Sequence, residues 1–133
     1  MNKFQHTLHC LEYLPADAQK DKHTISRWAE IKTATWLNCS LICLATGQNR
    51  RCLAYCNFVL KCQVMNEKAQ FRRAEAFFRL KEYHNACAGF KCVLRINPEN
   101  MAAKRGLLMS ARGVQAWKEM EKQRYSKMFV EKS

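Results

Sequence analysis

Glycine and proline are scarce in this sequence, with four glycines and two prolines among 133 residues. Because tight turns between strands depend on these residues, their scarcity argues against an all-β fold with many hairpins. Acidic residues are also few, since 11 Asp and Glu stand against 23 Lys and Arg, for a formal net charge of +12. Such a charge favours anionic partners, namely acidic peptides, nucleic acid or a membrane surface.

Long apolar runs are missing as well. No run approaches the roughly 20 residues that a membrane-spanning helix needs, and no apolar signal-peptide core follows residues 1–6. We therefore expect a soluble, intracellular protein. Hydrophobic residues nevertheless make up 48% of the chain, which is enough for the core of one domain.

Helical spacing of apolar residues runs through almost the whole chain. Gly47 and Pro98 interrupt it, and Asn66 has the side chain of a helix N-cap. No segment shows the alternation typical of a strand, so we predict an all-α fold. The predicted helices cover residues 4–14, 25–45, 51–62, 67–80, 83–96 and 101–130.

Helix pairs joined by short turns suggest internal repeats, and the tetratricopeptide motif fits them. This motif repeats about every 34 residues as W-x2-L-G-x2-Y, then A-x3-F, then P. Anchored on Pro98, it places Ala86 and Phe90 in their slots, and one period earlier Trp36 takes the Trp slot. We therefore predict a right-handed solenoid of antiparallel helix pairs with a long C-terminal capping helix. Its parts are the second helix of a partial repeat over 1–14, full repeats over 33–66 and 67–100, and the capping helix over 101–130.

The eight cysteines raise the questions of a disulfide scaffold and of a metal site. The absence of a secretory signal argues for a reducing compartment and against disulfides. The repeat register places four of them, as small core residues, where paired helices pack closely: Cys39, Cys43, Cys52 and Cys56. A tetrahedral zinc site made of the same four is the alternative, but packing explains their spacing, and we predict no metal or other cofactor. The other four are too scattered to suggest a site: Cys10, Cys62, Cys87 and Cys92.

Three segments resemble the tetratricopeptide domain at the C-terminal end of FKBP-type immunophilins. Residues 66–76 are similar to the opening of its third repeat, residues 90–103 to the end of that repeat, and residues 121–129 to the "EKxxYxxMF" end of the domain. Related co-chaperones share this last segment. In the family an isomerase domain lies upstream, and the resemblance implies a chain that begins inside the first repeat and lacks that domain. We therefore expect a binding protein rather than an enzyme, with no catalytic residues.

The resemblance also implies a ligand and the residues that bind it. Family members hold the C-terminal Met-Glu-Glu-Val-Asp of heat-shock protein 90 in a carboxylate clamp of Lys, Arg and Asn side chains. Residue by residue, Asn38 matches the Asn of the second repeat, and Lys68 and Arg72 match the Lys and Arg of the third. Lys68 and Arg72 are spaced i,i+4, so they share one helix face and can pair with carboxylates. The Lys and Asn of the first repeat have no counterpart. We predict a co-chaperone-like adaptor in the cytoplasm, with the nucleus as a second location.

The final predicted helix allows other functions. It alternates basic and apolar residues, which is typical of calmodulin targets and of helices that bind a membrane surface. We favour a role in capping the last repeat, and the two roles are compatible if the outer half of the helix projects freely. RNA binding is a further explanation of the net charge, although no nucleic-acid-binding motif is present.

Overall fold

The structure is a computed structural model that describes residues 22–132, and it contains five α-helices in this range. They are α1 (Lys22–Ala45), α2 (Asn49–Cys62), α3 (Glu67–Arg79), α4 (Tyr83–Ile96) and α5 (Met101–Lys132). The described residues include no strand, so the all-α prediction is confirmed for this part of the chain. The predicted helix over 4–14 and Cys10 lie outside the described residues.

Local signals in the sequence place the helix ends, and every predicted end from residue 25 onward lies within three residues of the observed one. Asn66 caps α3, because its side-chain oxygen accepts a hydrogen bond of 3.0 Å from the backbone N–H of Ala69. Asn100 does the same for α5, accepting from the N–H of Ala103 at 2.9 Å.

The turns within the two helix pairs have the same geometry. Gly47 follows α1 with φ of +78°, and Lys81 follows α3 with φ of +62°. After α1, the N–H of Gln48 donates to the carbonyl of Cys43 at 2.7 Å, as expected for a Schellman motif. After α3, the N–H of Glu82 donates to the carbonyl of Phe77 at 2.9 Å in the same way.

Each helix packs against the next one along the chain, and α3 also contacts both α1 and α5. The odd-numbered helices therefore share one side of the array, and α2 and α4 form the other. This arrangement is typical of stacked helix pairs that bury a continuous core between neighbours. None of the helices in residues 22–132 is long and apolar enough to span a membrane.

Cysteines form much of the core between α1, α2 and α3. Cys39, Cys43, Cys52 and Cys56 are all buried there beside Trp36, as expected for the packing residues that the sequence predicts. They are free thiols, and burial raises the pKa of Cys39 and Cys43 above its ordinary value. Within the described part of the chain, no three side chains of metal-ligating type cluster in a way that would hold an ion.

A second core lies between α3, α4 and the inner half of α5, around Phe90, Val93 and Ala103. Close helix packing explains the glycines of α5. A Cβ placed on Gly106 would lie 2.5 Å from the Phe90 ring, and one on Gly113 would lie 2.6 Å from the Tyr83 ring. These glycines therefore do not interrupt α5 but let it lie directly on α4.

Candidate peptide-binding groove

Two of the three predicted site residues line one cleft between α1 and α3. Lys68 and Arg72 lie there beside the apolar side chains of Leu41, Leu44 and Phe71, around a cavity of about 420 Å³. The spacing of the two cations on α3 brings both to this face, as the i,i+4 argument predicts. The cleft therefore combines positive charge with an apolar wall.

Lys68 stands in the first turn of α3, and its side chain is exposed. The Asn66 cap fixes the start of this helix and thereby the direction in which Lys68 points. In the described part of the chain, no ion pair engages the Lys68 ammonium group. Its charge is therefore available to a ligand.

Arg72 is held more firmly, because its guanidinium group contacts α1 directly. Nη1 of Arg72 donates a hydrogen bond of 2.7 Å to the carbonyl oxygen of Leu37 and lies 3.5 Å from Oγ of Ser40. A guanidinium group has five N–H donors, so this anchor leaves others free for a carboxylate. The sequence did not predict this contact.

Asn38 lies at the edge of the cleft rather than inside it. It is exposed on α1, next to the anchor at Leu37 and one helical turn before Leu41, which lines the cleft. Asn38 is not among the residues around the cavity itself. The structure therefore brings Lys68 and Arg72 together and leaves Asn38 beside them.

Two carboxylates also face the cleft, but neighbouring side chains engage both. Oε1 of Glu67 accepts hydrogen bonds from the side-chain amides of Asn97, at 3.0 Å, and Asn100, at 2.8 Å. Glu75 pairs with Arg79 at 3.6 Å, one turn further along α3. Arg79 offsets part of the charge of Glu75, whereas the neutral amides that engage Glu67 leave its charge in place.

A second cavity, of about 240 Å³, continues the cleft between α3 and α5. It shares Phe71 and Glu75 with the first and adds Phe78, Arg105 and Met109. The two cavities together form a groove along α1, α3 and α5, which we call the concave groove. No site role was predicted for its apolar residues. Leu41, however, lies one turn after Asn38 and Phe71 one turn after Lys68, and this spacing is the signal that could have identified them.

Comparisons with known proteins agree with this architecture. No protein-family model matches the chain. Among solved structures, the Hsp90 co-chaperone Cns1 from Saccharomyces cerevisiae superposes with a TM-score of 0.69 at 21% sequence identity. That match covers 98% of this chain and 44% of the Cns1 chain. The fold is accordingly a tetratricopeptide-like helical array, as predicted.

Sequence comparison then gives particular relatives. The chain is 32% identical over 99 residues to the peptidyl-prolyl cis-trans isomerase FKBP4 of Bos taurus, which covers 74% of this chain and 22% of FKBP4. It is 28% identical over 121 residues to the FK506-binding protein 59 of Drosophila melanogaster, covering 91% of this chain and 27% of that protein. The chain thus spans about a quarter of the length of these relatives. The matched part is their C-terminal, non-isomerase region, so the predicted resemblance is confirmed.

Proposed function

We propose that this chain is a binding module that acts as a co-chaperone-like adaptor. In this proposal the concave groove holds the acidic C-terminal peptide of a chaperone such as heat-shock protein 90. The main support is the position of Lys68 and Arg72, two cations without a carboxylate partner in the described residues, beside an apolar wall. The similarity to Cns1, which is named as an Hsp90 co-chaperone, supports the same partner class.

The chemistry of such a peptide fits the cleft. A C-terminal Asp carries two carboxylates, and the ammonium group of Lys68 and the free N–H groups of Arg72 can each pair with one. Asn38 can donate its side-chain amide from the edge of the cleft. Apolar side chains further up the peptide would pack on Leu41 and Phe71. The module works by binding, needs no cofactor and belongs in the cytoplasm in this proposal.

The experiment must separate a clamp from general attraction, because a net charge of +12 attracts any acidic peptide. We expect a peptide ending in Met-Glu-Glu-Val-Asp to bind with a Kd in roughly the tens to hundreds of micromolar, or about −5 to −6 kcal/mol. Amidation of its C-terminal carboxylate should remove most of the affinity. Titration calorimetry with both peptides measures the difference.

A second test is the variant Lys68→Ala, because the Lys68 side chain makes no hydrogen bond or ion pair with the described residues that its loss would break. It should weaken binding strongly, whereas Lys122→Ala on the outer part of α5 makes the same charge change and should leave binding almost unaltered. If the amidated peptide binds as well as the free acid, or if both variants behave alike, the groove does not work as a clamp.

The other functions that the sequence allows stay predictions. Apolar side chains near the end of α5 are exposed, as a calmodulin or membrane-surface helix requires. The relatives give no support to calmodulin as a partner. RNA binding likewise has no further observation in its favour.

A further inference from the structure

The outer part of α5 has an apolar face that no other described helix covers. Every side chain from Gln115 to Val130 is exposed except that of Glu121, which is partly buried. Four large side chains of this segment are about half exposed: Trp117 at 54%, Met120 at 60%, Tyr125 at 58% and Met128 at 48%. The inner half of α5, by contrast, lies on α4. The apolar face therefore starts where the contact with the array ends.

The residues of this face are spaced symmetrically about a midpoint, so their spacing is the same when counted from either end. Its members recur at i, i+3, i+4, i+7, i+8 and i+11, which puts them on one side of a helix. They are Trp117, Met120, Glu121, Arg124, Tyr125 and Met128, and we call them the outer face. The midpoint of the pattern falls between Lys122 and Gln123, and reversal of the helix direction about this point exchanges Trp117 with Met128 and Glu121 with Arg124.

We propose that the outer face is a self-association surface on which α5 of a second copy packs in the antiparallel direction. The interface is then isologous, because the same patch serves both copies. Trp117 lies opposite Met128 of the second copy at each end, and Glu121 lies opposite Arg124 of the second copy in the centre. The facing side chains form successive layers along the two helices, as in a short antiparallel coiled coil.

Charge fixes the direction of this pairing. A parallel pair in register would set Glu121 against Glu121 and Arg124 against Arg124, and like charges in direct opposition are unfavourable. The antiparallel pair instead forms two Glu–Arg contacts. Within one chain these two residues already pair at 3.3 Å, so neither charge is buried without a partner when the second helix arrives.

A cavity beside Trp117 provides a place for the end of the second helix. It measures about 250 Å³ and is lined by Lys81, Tyr83, His84, Val114 and Trp117, among others. Antiparallel pairing brings Met128 of the second copy to this cavity, and the unbranched thioether side chain adapts well to an irregular apolar space.

The same charges argue against a lipid surface as the occupant of the outer face. A helix that lies on an anionic membrane presents an apolar face with its cations at the border. Here Glu121 stands in the middle of the face, and its carboxylate would have to leave water with Arg124 of the same chain as its partner, because the lipid supplies no second one. A second copy of the chain supplies that second partner.

Sedimentation equilibrium of the full chain under reducing conditions tests the proposal through charge exchange. We expect a reversible monomer–dimer equilibrium. Glu121→Arg and Arg124→Glu should each raise the dimer Kd about tenfold or more, because each sets like charges against each other. The double exchange should restore the dimer. Glu119→Arg and Lys122→Glu make the same charge changes off the outer face and should leave the Kd nearly unchanged.

Apolar variants give an independent measurement. Trp117→Ala and Met128→Ala should each weaken the dimer, whereas Phe129→Ala, which removes a side chain that is 75% exposed and off the face, should not. Apart from the partly buried Glu121, all these positions are exposed, and circular dichroism verifies that the variants keep their helices. A chain that stays monomeric up to about 1 mM would contradict the proposal. So would a double exchange that fails to restore the dimer, or a monomer whose Trp117 instead binds anionic vesicles or calcium-loaded calmodulin.

Discussion

Arg72 on α3 donates a hydrogen bond of 2.7 Å to the backbone carbonyl of Leu37 on α1. Two helical turns further along, Arg79 makes the same contact with the carbonyl of Leu44, also at 2.7 Å. Two charged hydrogen bonds thus hold α1 against α3 beside the concave groove. Arg72 therefore has a structural role in addition to its proposed role in peptide binding.

Arg72→Ala should lower the free energy of unfolding by about 1.5–3 kcal/mol, the usual range for the loss of a hydrogen bond to a charged group. Lys68→Ala, which loses no ion pair or side-chain hydrogen bond to the residues the structure describes, should change it by less than about 0.5 kcal/mol. Urea denaturation of the two variants measures both values. If the two variants unfold at the same urea concentration, the contact with Leu37 contributes nothing to stability.

Lys81 should be replaceable by glycine with a gain in stability. Its φ of +62° is unfavourable for a residue with a Cβ, by about 1–2 kcal/mol, whereas Gly47 takes the equivalent place after α1 at little cost. Because glycine also adds freedom to the unfolded chain, we expect Lys81→Gly to raise the free energy of unfolding by a net amount of about 0.5 kcal/mol or more.

The reverse change at the other turn serves as the control for Lys81→Gly. No atom lies within 4 Å of a Cβ placed on Gly47, so Gly47→Ala would meet no steric obstacle. It should still destabilise the protein by about 1 kcal/mol through its backbone alone. Thermal or urea denaturation measures the stability of Lys81→Gly and Gly47→Ala against the parent. A Gly47→Ala variant as stable as the parent would contradict the argument.

The sequence predicted the helices well because their ends depend on local signals. Gly47, Asn66 and Pro98 each act within one turn of the chain, and apolar spacing does the rest. The site was predicted only in part. The contact between Arg72 and Leu37 depends on how α1 and α3 cross, which local spacing does not fix, and the positive φ of Lys81 has no signal except its place in the repeat.

Apolar residues show the same limit. Leu41 and Phe71 are apolar and follow the helical spacing that core residues have. Only the packed array shows that they face a groove. Gly106 and Gly113 disfavour a helix by their intrinsic propensity, and the sequence alone shows nothing that compensates for them. The rings of Phe90 and Tyr83, which come from another helix, explain both glycines.

The buried cysteines should contribute through packing and not through a metal. Cys43→Ala or Cys56→Ala should each lower the free energy of unfolding by about 1 kcal/mol or slightly more, as for the loss of a small buried group. The reduced protein should contain no stoichiometric zinc. Elemental analysis that finds one zinc per chain, absent in Cys52→Ser, would contradict the packing interpretation.

Stability should fall at alkaline pH because buried thiols resist ionisation. Burial raises the pKa of Cys39 and Cys43 in the folded protein, whereas in the unfolded chain a thiol loses its proton near pH 8.5. The stabilisation is complete below that pH and is lost as the pH rises above it. Urea denaturation at several pH values should show this decline, and Cys43→Ala should make it less steep. A decline unchanged by Cys43→Ala would assign it to other groups.

The two halves of α5 should contribute separately to stability. Its inner half places Ala103 in the second core and brings Gly106 against the Phe90 ring, so a chain truncated after Arg105 should melt at a lower temperature or aggregate. A chain truncated after Trp117 keeps the contacts of the inner half and, at concentrations at which the parent is monomeric, should melt close to the parent temperature. Gly106→Ala tests the contact without truncation, and the strain against Phe90 should cost about 1–3 kcal/mol. Differential scanning calorimetry compares all three, and equal melting temperatures for the two truncated chains would contradict a capping role for the inner half.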